Sequence, residues 1–149
     1  MKTIASFTVD HTVLKPGMYV SRIDGDITTY DLRTRKPNAG DYMDDSTMHS
    51  VEHMLATLLR NGELEAQVVY FGPMGCQTGF YLLVRDADNA KVLDVLKQAL
   101  RDTITFNGQI YGNIERECGN YCTLSLEKAK HECSLYLDIL DGIDGSMEY

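Results

Sequence analysis

The sequence is short of several things, and each shortage excludes something. No apolar run approaches the roughly 20 residues that a membrane-spanning helix requires. Basic side chains are in deficit: 14 Lys and Arg stand against 22 Asp and Glu, a net charge of -8. Phosphate backbones and anionic membrane surfaces call for clustered cations, so neither nucleic acid nor membrane is an expected partner. Proline is confined to Pro16, Pro37 and Pro73, and no Ser/Pro/Gly linker, repeat or low-complexity segment divides the chain. The opening Met1-Lys2-Thr3-Ile4-Ala5-Ser6 lacks the apolar core of a signal peptide, which leads to the expectation of a cytoplasmic protein. Cysteine in that compartment is usually reduced. What the chain does have is 149 residues, 44% hydrophobic, enough for a single domain over residues 1–149 that needs no disulfide. Four Cys and four His are then free for metal or catalysis.

Patterning outlines the elements. Tyr19 to Ile23 reads as a strand, Asp24-Gly25-Asp26 as a hairpin turn and Ile27 to Arg33 as the returning strand. Asp45 or Ser46 can cap a helix running to about Asn61, with Gly62 placed to end it. Its apolar spacing is Met48, Val51, Leu55, Leu58 and Leu59. Leu64 to Phe71 and Gly79 to Val84 read as strands around a Gly-Pro-Met-Gly-Cys turn. A second helix starts near Asp88, with Val92, Leu93, Leu96 and Leu100 as its stripe. A third runs from Ser125 to Leu140, with Leu126, Ala129, Cys133, Leu137 and Leu140 on one face. The order predicts an α+β fold: an antiparallel sheet with helices packed on one face.

The strongest local signal is His49-Ser50-Val51-Glu52-His53. Residues four apart on a helix are separated by only ~40°, so His49 and His53 can point two imidazoles at one ion. Glu52 falls on the same side. H-x-x-E-H is the inverted zincin order. Its bland alternative is a surface helix with two solvated histidines. A catalytic metal site keeps three protein ligands and one open position. Candidates for the third ligand are His11, His131 and the four cysteines, of which Cys118, followed by Gly119, stands out. Cys118 and Cys122 form C-x-x-x-C, but no second pair completes a structural zinc site. Cys133 reads as core, Cys122 as structural or exposed and inert, and His131 as solvated.

Cys76 sits in Gly72-Pro73-Met74-Gly75-Cys76-Gln77-Thr78-Gly79, a tight turn between strands. That placement exposes the thiol, and a nearby metal would favour its thiolate as base or nucleophile. A small residue chosen for a crowded turn is the alternative.

Taken together and in order, H-x-x-E-H, Pro-Met-Gly-Cys-Gln-Thr-Gly-Phe-Tyr and Glu-Cys-Gly-Asn-Tyr resemble S-ribosylhomocysteine lyase, the LuxS family. Ser6-Phe7-Thr8-Val9-Asp10-His11, Asp31-Leu32-Arg33 and Pro37-Asn38 fit the same pattern, so the resemblance spans Ser6 to Ala129. It implies an α+β homodimer with active sites at the subunit interface. It implies cleavage of S-ribosylhomocysteine to homocysteine and 4,5-dihydroxy-2,3-pentanedione. That dione is the precursor of the quorum-sensing signal autoinducer-2, formed within the activated methyl cycle. It further implies Fe(2+), replaceable by Zn(2+) or Co(2+), held by His49, His53 and Cys118. Glu52 and Cys76 would be the acid/base pair, and Ser6, His11 and Arg33 would contact substrate, in part across the interface. The sequence departs from the pattern at Tyr70-Phe71-Gly72, where many members carry Asp-Ile-Ser, and at Leu124, where many carry His. The first departure bears on substrate contacts and the second on a contact behind the metal ligands.

The residue types suit that chemistry. A thioether on an unactivated carbon breaks only after a carbonyl has migrated along the opened sugar, so that β-elimination can expel the thiolate. Each migration is a proton abstraction beside a carbonyl, and a divalent metal with an open position stabilises the resulting oxyanion. Cys76 is assigned the first isomerisation, from C2 to C1, and Glu52 the later abstractions. A desolvated carboxylate is the better base near neutral pH. Arg33 suits an oxygen of the substrate by charge-assisted hydrogen bonds, although spacing alone would make it a strand-edge surface charge. Two other classes compete: a metallopeptidase in which Glu52 activates water, and a non-enzymatic domain using metal only for stability.

Overall fold

The computed structural model describes all residues 1–149. Two 3-10 turns aside, it contains β1 (Gly17–Asp24), β2 (Ile27–Arg33), α1 (Asp45–Arg60), β3 (Val68–Pro73), β4 (Gly79–Arg85), α2 (Asn89–Ile104) and α3 (Leu126–Asp141). The four strands make one antiparallel sheet in the order β1-β2-β4-β3. The expected α+β class is the observed one. The β1–β2 hairpin turns at Gly25, whose φ of 61° is the left-handed value that glycine accepts without a Cβ clash.

Each helix begins where its cap residue dictates. The side chains of Asp44, Asp88 and Ser125 accept from the backbone N–H of Thr47, Lys91 and Lys128, satisfying amides that have no partner in the first turn. The cap of α1 is therefore Asp44, one residue before the expected Asp45 and two before the alternative Ser46. One strand boundary also moves. Leu64 to Gln67 form turns, with the N–H of Gln67 and of Val68 both bonded to the carbonyl of Leu64, so β3 starts at Val68 rather than Leu64. The apolar run continued the strand pattern, but the turn already uses those backbone groups.

The alternation of strand side chains divides the sheet. Met18, Tyr30, Leu32, Phe71, Phe80, Leu82 and Val84 point into the core beneath the helices. The helices add Val51, Met54, Leu55 and Leu59 from α1, Val92, Leu96 and Leu100 from α2, and Ala129, Cys133, Tyr136 and Leu140 from α3. Met48, Leu58, Leu93, Leu126 and Leu137, expected on these stripes, are half-buried at the margin. Truncating any fully buried leucine here would cost about 2–5 kcal/mol. The core is not wholly apolar. Glu132 on α3 is buried and is held bidentately by Arg35 at 2.9 and 2.6 Å, tying α3 to the chain leaving β2. The opposite face of the sheet carries Tyr19, Asp31, Arg33, Tyr81 and Tyr70, and no helix covers it.

Candidate metal centre and active site

His49 and His53 occupy adjacent turns of α1, on the face turned away from buried Val51. The segment between α2 and α3 folds over that face and supplies Cys118. The ligand atoms of His49, His53 and Cys118 lie within 4.8 Å of one another, and Cys118 Sγ is 3.3 Å from His49 Nε2. The imidazole rings meet edge to face, with centroids 4.6 Å apart.

This donor set fits a divalent ion, and the second nitrogens show why. His53 Nδ1 donates to the carbonyl of Tyr111 at 2.7 Å, and His49 Nδ1 lies 2.7 Å from Thr123 Oγ1. Each bond occupies Nδ1 and leaves Nε2 as a lone-pair donor, the arrangement expected of metal-ligating histidines. Burial and the nearby His53 lower the pKa of His49 below its ordinary value, which keeps the imidazole neutral as ligation requires; the charge of Glu52 opposes this in part. The N–H of Asn120 donates to Cys118 Sγ at 3.4 Å. Three donors of this type leave one position for an exogenous oxygen.

A second group gathers on the uncovered face of the sheet. Cys76 is exposed in the β3–β4 turn, as expected. Its Sγ lies 3.0 Å from Thr78 Oγ1 and 3.8 Å from Arg33 Nη1. Arg33 is no strand-edge surface charge. It ends the interior strand β2, is only 2% exposed, and forks onto the equally buried Asp31 through Nε at 3.1 Å and Nη2 at 2.6 Å. Nη1 donates to Thr78 Oγ1 at 2.8 Å. Removing one member of such a buried pair would cost about 3–5 kcal/mol, because the other charge is left uncompensated. Ser6 lies beside the Tyr81 phenol on this face. His11 is held within its own segment, with Nδ1 2.8 Å from the carbonyl of Val9.

The eight expected site residues thus fall into two sets, with His49, Glu52, His53 and Cys118 on α1 and its covering loop, and Ser6, Arg33 and Cys76 on the sheet face. His11 stands apart from both. No hydrogen bond or ion pair joins the two sets. The remaining histidine and cysteines are where bland readings put them. His131 and Cys122 are exposed and Cys133 is buried in the core, where desolvation pushes its thiol up to about 12.

Sequence reasoning missed the supporting cast. Thr123, the Tyr111 carbonyl, Gly112 and Thr78 touch proposed site residues, and Tyr149 reaches Arg33 through Asp31; only Thr78 lies within a quoted motif, and there it had no role of its own. Gly112 alone left a signal. Its φ is 70°, and a Cβ there would lie 2.9 Å from His53 Nδ1, so glycine is what allows the loop to close over that imidazole. The Tyr70 departure also has a local cause: its phenol lies over Gly72, in space that any side chain at 72 would fill.

Known proteins resemble the chain throughout. The S-ribosylhomocysteine lyase of Borreliella burgdorferi is 44% identical over 149 residues, covering 96% of this chain and 95% of its own. That of Finegoldia magna is 43% identical over 148 residues, covering 96% of this chain and 94% of its own. That of Clostridium acetobutylicum is 42% identical over 149 residues, covering 96% and 94% respectively. The sequence profile of one family matches residues 4–144, a stretch that includes both sets of side chains. On those matches, this chain belongs to the S-ribosylhomocysteinase (LuxS) family.

Proposed function

We propose that the chain is a metal-dependent S-ribosylhomocysteine lyase, a carbon–sulfur lyase acting as a single catalytic domain. It would release homocysteine and 4,5-dihydroxy-2,3-pentanedione, the autoinducer-2 precursor. The observation that carries this reading is the convergence of His49, His53 and Cys118 in one cluster with Glu52 beside it, within a chain of this family. A bound divalent ion, Fe(2+) in this reading, with Zn(2+) or Co(2+) as substitutes, supplies Lewis-acid polarisation of a substrate carbonyl.

The protein's own groups do the rest. Cys76 takes the proton at C2 of the opened sugar and returns it at C1. The guanidinium of Arg33, 3.8 Å from Sγ, stabilises negative charge on the sulfur during that transfer. Glu52 takes the proton at C3 and returns it at C2, which brings the carbonyl to C3; it then takes the C4 proton, and the electron pair left there expels the thiolate from C5. Arg33 spends Nε and Nη2 on Asp31 and one Nη1 hydrogen on Thr78, so only the Nη1 hydrogen beside Cys76 is left, and a substrate oxygen is proposed to meet it there. Ser6 and His11 are proposed to contact the substrate as well.

A homodimer with shared active sites is supported by the separation of the two sets of residues and by what the surface exposes. Ile4, Phe7 and Val13 of the first segment and Ile23 and Tyr70 of the sheet are exposed apolar side chains that a second copy would cover. No helix is long and apolar enough to cross a membrane. A cytoplasmic location and a role in quorum sensing belong to the same proposal.

The test is release of free thiol from S-ribosylhomocysteine by metal-loaded protein. Wild type should liberate homocysteine, while Cys76→Ala and Glu52→Gln, with metal retained, should lose at least about a hundredfold in kcat. Absence of release by metal-loaded wild type would sink the lyase reading. Release surviving both substitutions would sink the two acid/base assignments. Light scattering of the same preparation should give the mass of a dimer.

A further inference from the structure

The segment that follows α3 returns to the sheet and reaches the Cys76 group, and no family motif accounts for it. Three contacts fix it in place. Met147 is buried in the core, and its carbonyl accepts the N–H of Val20 at 2.8 Å, where the β1–β2 register breaks. The ring of Tyr149 stacks on Tyr19, with centroids 4.9 Å apart and planes within 14°. The phenol of Tyr149 donates to Asp31 Oδ2 at 2.6 Å.

Asp31 Oδ2 is the same oxygen that accepts from Arg33 Nη2. A continuous path therefore runs Tyr149–Asp31–Arg33–Cys76, with only Tyr149 and Cys76 reaching solvent. Tyr149 also walls a cleft of about 500 Å³, together with Asp10, Lys15 and Tyr19. Burial and the adjacent Asp31 raise the phenol's pKa, so Tyr149 stays a neutral donor at any working pH.

The consequence follows from charge. Asp31 both aims the guanidinium and neutralises it. A phenol donating to the carboxylate shares its negative charge, and leaves more of the positive charge of Arg33 facing Cys76 Sγ. The same bond pins the carboxylate, and through it the fork geometry of Arg33.

We propose that Tyr149 is a positioning residue, which acts through Asp31 to hold Arg33 against Cys76 and the substrate. The inference rests on the lyase reading, in which Cys76 and Arg33 face substrate. The decisive variant is Tyr149→Phe, which keeps the ring stacked on Tyr19 and removes only the hydroxyl. Two measurements on metal-loaded protein separate the possibilities. One is steady-state thiol release from S-ribosylhomocysteine. The other is the rate of iodoacetamide alkylation at Cys76, read by peptide mass spectrometry with exposed Cys122 as internal control.

Tyr149→Phe should lower kcat/KM about tenfold, the size expected for one hydrogen bond to a charged group. It should slow alkylation of Cys76 severalfold and leave Cys122 unchanged. A merely structural role would not separate the two cysteines. Wild-type rates at Cys76, faster alkylation there, or equal slowing at both cysteines would overturn the proposal. If wild type releases no thiol, the lyase reading fails, and the alkylation comparison still decides whether Tyr149 governs Cys76.

Discussion

Nδ1 of His49 and Oγ1 of Thr123 lie 2.7 Å apart, and the direction of that hydrogen bond is determined. The single hydroxyl proton of Thr123 is given to the carbonyl of Asn120 at 3.0 Å. His49 must therefore be the donor, which places its proton on Nδ1 and its lone pair on Nε2, facing Cys118. The loop that carries Cys118 thus sets the tautomer of the histidine it meets.

Thr123→Val should consequently weaken metal binding by about 10–100-fold, the usual effect of losing a partner behind a ligating histidine. Thr123→Ser keeps the acceptor and should bind as wild type does. Competition for Zn(2+) against a coloured chelator measures both. Equal affinity for Val and wild type would show that the hydroxyl does not orient His49.

Gly112 acts on the other imidazole. Its φ of 70° is costly for any residue with a Cβ, about 1–2 kcal/mol, and that Cβ would also press on His53 Nδ1 at 2.9 Å. Gly112→Ala should lower the urea midpoint and the Zn(2+) affinity together. Gly112→Asn tolerates the backbone angle better but adds the same Cβ. It should recover part of the stability and none of the affinity. Recovery of both would assign the glycine to backbone conformation alone.

The helices and the sheet were legible because caps and periodicity act locally. Asp88 and Ser125 announce α2 and α3, and Val51, Leu55 and Leu59 face the core at the spacing their helix dictates. The cluster of His49, His53 and Cys118, which could hold a metal ion, was legible for the same reason in part. Two of them sit four residues apart on one helix, whereas Cys118 was singled out only by Gly119 and by motif resemblance. The network around Cys76 was not legible, since it is made by long-range register. Arg33 lies opposite Gly79 across β2–β4, Asp31 lies opposite Tyr81, and Tyr149 arrives from 118 residues away. No local pattern encodes such pairings. Buried Glu132 was hidden similarly, because its charge on an apolar stripe makes sense only once Arg35 is beside it.

The four thiols should divide by burial. Desolvation pushes Cys133 up to about 12, so at pH 8 it is protonated as well as inaccessible. Metal-free native protein should show three reactive thiols toward a disulfide reagent, Cys76, Cys118 and Cys122. The fourth should appear only with denaturant. Added Zn(2+) should protect Cys118 and leave two. Reaction of Cys133 in native protein would mean that α3 lifts from the core. Failure of Zn(2+) to protect Cys118 would remove it from the ligand set.

Asp44 links the stability of α1, and so of the helix bearing both histidines, to pH. Lys128 Nζ and the Thr47 N–H, hydrogen-bonded to its carboxylate at 2.8 and 2.7 Å, hold its carboxyl well below the usual carboxylate range. A carboxyl lowered in the folded state adds stability above its unfolded pKa, about 3.9, and that contribution is lost as pH falls further. The Lys128 pair is exposed, so its charge term is small, at most ~1 kcal/mol. The cap itself is the larger part: Asp44→Ala should cost about 1 kcal/mol at pH 7. Asp44→Asn retains an oxygen for the Thr47 N–H and loses only the charge. It should sit slightly below wild type at pH 7, and converge with it as urea melts are repeated down toward pH 3. A constant gap between Asn and wild type over that range would show that the charge of Asp44 does not stabilise the helix.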